Sequence, residues 1–135
     1  MSSKIEFNYY TFSGPPSPVV LAEWRSPESP NSPDPKRLRA LIDTGAPFCV
    51  IPERLKDSLK LCKIDEIPIQ DYNDRIIEDN APVYSVHMTI PPLQPVIAQV
   101  ITRESNEYAI IGRDVINQWV LMLDGPGLKV ILHSI

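Results

Sequence analysis

Short apolar runs, each closed by proline, glycine or a polar cluster, recur along the whole chain. Ile5–Tyr10 begins with apolar/polar alternation and predicts a strand. Val19–Trp24 predicts a second, and Gly14-Pro15-Pro16-Ser17-Pro18 is the break between them. Further strands fit Ile64–Gln70, Ile76–Glu78, Val83–Ile90, Val96–Thr102, Tyr108–Ile111, Val120–Asp124 and Lys129–Leu132. Pro52–Leu59 is the best helical stretch, with proline where a helix starts. Ser26–Lys36 is a Pro/Ser loop without apolar residues, read as an extended surface loop or a polyproline II recognition segment. Many short strands with frequent breaks predict an all-β domain, a small closed barrel or sandwich with one or two short helices.

A length of 135 residues predicts a single domain over 1–135, able to bury about two-thirds of its unfolded surface. The 43% hydrophobic and 22% charged content is ordinary for a soluble domain. A net charge of −4 with no stripe of Lys or Arg argues against nucleic-acid and membrane-surface partners. No apolar stretch approaches the roughly 20 residues that span a bilayer, and the polar N-terminus does not read as a signal peptide. Cys49 lies in an apolar run like a small core residue. It and Cys62 are expected to stay reduced in a cytoplasmic protein. His87 and His133 lie far apart, with no Cys or acidic residue at ligand spacing, so no metal and no cofactor are expected. His87, between Val86 and Met88, is expected on the outward side of a strand.

Within this pattern one segment stands apart. Residues 40–51 read Ala-Leu-Ile-Asp-Thr-Gly-Ala-Pro-Phe-Cys-Val-Ile, so Asp43 falls between two apolar runs. Asp is depleted from strands and rarely buried unpaired. Two readings fit: a carboxylate held as a general base toward water, or an Asx-type turn in which Gly45 follows the capping Asp. A second segment, Tyr-Ala-Ile-Ile-Gly-Arg-Asp-Val-Ile over 108–116, runs β-branched residues into Gly112-Arg113-Asp114 and then a short apolar stretch.

Leu41-Ile42-Asp43-Thr44-Gly45-Ala46 followed by Ile110-Ile111-Gly112-Arg113-Asp114 resembles, in order and spacing, the paired motifs of the retropepsin-like aspartic proteases. The resemblance covers roughly residues 36–132 and implies a retropepsin-type barrel that hydrolyses peptide bonds. Such hydrolysis needs two carboxylates on one water, one as base and one as acid. The chain has one Asp-Thr-Gly, so the resemblance implies a homodimer in which each subunit contributes Asp43. Thr44 would bond across the two-fold axis, although a buried strand Thr is equally ordinary. Gly45 would let substrate backbone approach, with Ala46 beside it. Gly112, Arg113 and Asp114 would open a helix packed under the Asp43 loop.

The resemblance places a substrate-covering hairpin, the flap, at 64–86. Ile67–Gln70 and Arg75–Glu78 would be its arms and Asp71, Tyr72, Asn73 and Asp74 its tip; an ordinary surface hairpin also fits. Two departures from the family pattern are visible. Retroviral enzymes often carry an Asp where this chain has Pro47, so Arg113 needs another partner, and the flap tip lacks glycine while holding the bulky Tyr72. Val130-Ile131-Leu132 is expected to be an apolar strand with an edge that a dimer would cover. The rival reading is a retropepsin-fold dimer that binds peptides without cutting them.

Overall fold

The computed structural model describes residues 3–12, 14–71, 73–104 and 106–134. Among these, one three-stranded sheet joins the two ends of the chain: β1 (Lys4–Asn8) pairs antiparallel with β10 (Lys129–His133), which pairs β9 (Val120–Asp124). A seven-stranded sheet runs in the order β2 (Val19–Arg25), β3 (Lys36–Ile42), β8 (Ala109–Ile111), β4 (Cys49–Pro52), β7 (Val96–Arg103), β6 (Ile76–Thr89), β5 (Lys63–Gln70). β2 also pairs β6 through Glu23–Thr89, Trp24–Met88 and Arg25–His87, so the large sheet curls back on itself. Two short helices complete the all-β domain, α1 (Glu53–Leu59) and α2 (Arg113–Ile116).

Strand alternation builds the core. β2 turns Val20, Ala22 and Trp24 inward, and β3 does the same with Ala40 and Ile42. They meet Ile51, Met88, Val100, Ile111 and Val115, all closed to solvent. Val130 and Leu132 extend the same cluster beneath the terminal sheet.

The structure corrects several expectations. Ile76–Glu78 and Val83–Ile90 are not separate strands but parts of the 14-residue β6. Pro82 does not interrupt it, because β6 meets β7 only from Tyr84 and β2 only from His87 onward. At Pro82 the strand has β5 alone as neighbour, and register shifts in that pairing absorb the irregularity. β10 is not an edge: β1 and β9 flank it within the same chain, so the edges of the terminal sheet are β1 and β9. His87 is not turned to solvent; it is 8% exposed and its Nδ1 has no hydrogen-bond partner among the described residues. It lies opposite Arg25 in the β2–β6 ladder, so both side chains stand on one face. The Arg25 Nε donates to the Ser32 carbonyl at 2.8 Å, which ties that arginine to the Pro/Ser loop.

Candidate active site

Asp43 follows the last residue of β3, where the apolar strand gives way to an exposed turn at Thr44 and Gly45. Its N–H donates to the Ile111 carbonyl at 3.0 Å, so the ends of β3 and β8 are joined directly behind it. That junction follows from the parallel register Ala40–Ala109, Leu41–Ile110 and Ile42–Ile111. The Gly45 N–H donates to Asp43 Oδ1 at 2.9 Å, and the Ala46 N–H donates to the Asp43 carbonyl at 3.2 Å. The Asx-type turn is therefore present. It holds Oδ1 and leaves Oδ2 without a protein partner among the described residues.

The second motif braces this loop from below. The Arg113 N–H donates to the Ala46 carbonyl at 2.8 Å and the Asp114 N–H to the Pro47 carbonyl at 3.3 Å. The Arg113 Nη1 reaches the Thr44 carbonyl at 3.0 Å, which answers what replaces the absent carboxylate at Pro47. A Cβ at Gly112 would overlap the Phe48 carbonyl and stand 2.8 Å from the Ala46 oxygen, so the two segments pack backbone to backbone. Thr44 is exposed and lies in the turn, which removes the alternative of a buried strand threonine.

One contributor was not legible beforehand. Cys49 Sγ donates to Asp114 Oδ1 at 3.3 Å and accepts from the Gly112 N–H at 3.5 Å. Burial pushes this thiol far above its ordinary value, and the Asp114 charge adds to that, so it stays protonated and donates. Asp114 is itself pushed up by burial, while the Cys49 thiol and the Val115 N–H hold it back. The only sequence signal was a hydrogen-bonding side chain within an apolar run.

The hairpin at 64–86 exists as β5 and the first half of β6. At its tip Asp71 Oδ1 accepts from the Asn73 N–H at 2.8 Å and the Arg75 N–H at 3.0 Å, and the Asp71 N–H donates to the Arg75 carbonyl at 2.9 Å. Asp74 takes the left-handed turn conformation, φ 61°, that glycine would otherwise supply. Tyr72 lies outside the described residues. Ile76 and Ile77 are 56% and 67% exposed on the second arm.

No family model matches the sequence, and no curated protein matches it. Solved structures do match. A retropepsin-like aspartic protease from Rickettsia conorii aligns over 99% of this chain and 94% of its own, at 12% identity and a TM-score of 0.66. EIAV protease, complexed with the inhibitor HBY-793, aligns over 80% and 90% respectively, at 17% identity and a TM-score of 0.52. The fold is that of the retropepsins. Within that fold the Asp43 turn and the Gly112-Arg113-Asp114 segment form one hydrogen-bonded unit at the ends of β3 and β8. Among the described residues, no cluster of His, Cys, Asp and Glu is arranged to hold a metal ion, and no helix is long and apolar enough to cross a membrane.

Proposed function

We propose that this protein is an aspartic endopeptidase in which two copies of the chain each supply Asp43 to one active water. The observation that carries this reading is the Asp43 carboxylate itself. It stands on a turn braced by Ile111, Ala46 and Arg113, with Oδ1 fixed by Gly45 and Oδ2 left to act. A carboxylate held this firmly is pre-positioned for general acid–base work. One of the pair takes a proton from water as it attacks the peptide carbonyl; the other protonates the departing nitrogen. Thr44 and Gly45, exposed on the single chain, are the surface that a second copy and the substrate backbone would meet. The hairpin of β5 and β6, with exposed isoleucines on its arms, would close over the peptide as a flap.

A dimer of this kind must be held without β10 as a free edge, which leaves β1 and β9. Val120 and Met122 on β9 are 51% and 57% exposed and offer apolar surface there. The rival reading, a peptide-binding dimer without turnover, draws on the Gly45–Asp43 hydrogen bond, which a purely structural Asx turn also makes. Incubation with denatured casein, with and without a pepstatin-type inhibitor, separates the two. Inhibitor-sensitive cleavage that Asp43→Asn abolishes is expected. Intact casein at high enzyme concentration would leave only the binding module.

A further inference from the structure

Beside the Asp43 turn, the outward face of β2 and β3 forms the floor of a groove of about 630 Å3. The antiparallel register arranges that floor in rows. Val19 pairs with Leu41, Leu21 with Arg39 and Glu23 with Arg37, in order of increasing distance from Asp43. Tyr10 and Tyr108 also line the groove. The first row is apolar and lies two residues from Asp43. In the third row Arg37 is neutralised by Glu23 at 3.1 Å. The second row differs. Arg39 has no carboxylate partner among the described residues, and its guanidinium lies over the Tyr10 ring, 5.0 Å from the centroid. Glu107 is the groove's acidic lining residue and makes no ion pair with Arg39. A cation held by an aromatic ring beside an apolar floor is complementary to a carboxylate carried next to an apolar side chain.

We propose that this groove is a specificity subsite that reads an apolar-x-acidic sequence in the peptide substrate, with Arg39 as the residue that selects the acid. Alternate side chains of an extended peptide stand on one face roughly 7 Å apart, the same spacing as two successive rows of the strand pair. An apolar side chain over Val19 and Leu41 therefore brings the residue two positions farther from the scissile bond to Arg39. This inference rests on the endopeptidase reading for its kinetics, but the groove's preference is also measurable as binding.

The test uses three extended peptides that share one central cleavable sequence and carry Leu-x-Glu, Leu-x-Gln or Leu-x-Lys on its flanks. A roughly tenfold higher kcat/KM for the Glu peptide over the Gln peptide is expected, the size of one charge-assisted hydrogen bond in a partly solvated site. That ratio should shrink as salt is added. Arg39→Gln should bring it to about one, and Arg39→Glu should invert the order in favour of the Lys peptide; Lys60→Gln, exposed at the end of α1, controls for net charge. An unchanged ratio in both Arg39 variants overturns the proposal. If none of the peptides is cut, fluorescence anisotropy of the same labelled peptides decides the matter. An Arg39-dependent preference for Glu would uphold the groove while the endopeptidase reading fails, and equal binding of all three peptides would sink the groove.

Discussion

The Arg113 N–H meets the Ala46 carbonyl at 2.8 Å, 67 residues away in sequence, and this contact makes the two motifs a single loop assembly. Gly112, immediately before Arg113, permits the approach, because any Cβ there would press into the Phe48 and Ala46 carbonyls. Backbone oxygens cannot swing aside as a side chain tip can. Gly112→Ala should therefore destabilise the protein by about 1–3 kcal/mol, the usual range for overpacking. Gly125→Ala, where nothing lies within 4 Å of the added carbon, should stay within about 0.5 kcal/mol. Urea denaturation of both variants checks this, and equal midpoints would mean that the loop yields more easily than its hydrogen bonds suggest.

Asp43→Asn should leave the fold intact and remove turnover. The amide oxygen keeps the acceptor that Gly45 uses, so the turn survives, while the acid–base group is gone. Loss of a positioned acid–base group reduces rate by roughly 100- to 10,000-fold. Undiminished cleavage of casein by the purified variant would move the chemistry away from Asp43.

Activity per chain should fall on dilution, because one chain carries one Asp-Thr-Gly. Sedimentation run beside the dilution series would show the species responsible, and a fully active monomer would end the two-copy mechanism. Met122→Glu, placing charge on the exposed β9 surface, should shift the dilution midpoint upward without unfolding the monomer.

His87 makes stability pH-dependent. Burial holds its imidazole below the ordinary value of 6.5, and the positive Arg25 beside it adds to that. The unfolded chain therefore takes up this proton first as pH falls. The His87 contribution is intact above pH 6.5 and is lost as pH drops from 6.5 toward the lower folded value. Asp114 works in the opposite sense: its raised folded value means that the folded chain protonates first, so acid instability in this window does not come from it. Thermal melts between about pH 7.5 and about pH 5.5, one unit either side of an unperturbed histidine, should show the decline in the native protein. His87→Gln should flatten it, and parallel curves would exclude His87 as the source.

The two thiols should differ sharply toward a disulfide reagent. Cys49 is buried and held protonated, whereas Cys62 is exposed. One thiol per chain should react quickly in the native protein and both in urea. Rapid reaction of both under native conditions would show that the Cys49–Asp114 contact opens readily.

The local signals were legible in the sequence because they depend on nearest neighbours along the chain. Alternation placed most strands, proline placed α1, and an Asp between apolar runs followed by Gly45 marked the turn. The resemblance carried by the two motifs also anticipated the retropepsin fold. What required the tertiary structure was every property set by residues distant in sequence. β10 read as an edge because its partners β1 and β9 cannot be seen from its own residues. His87 read as exposed because alternation reports the face of a strand, not what the arginine across the ladder does to that face. Cys49 read as filler because its partners, Gly112 and Asp114, arrive only when β4 and β8 enter one sheet. Arg113 lacked a foreseeable partner because backbone carbonyls are identical at every position, and only folding chose that of Thr44. Sequence alone marked most of the strands, α1 and the carboxylate at a strand end; long-range packing made β6 one continuous strand and decided what braces that carboxylate and what surrounds it.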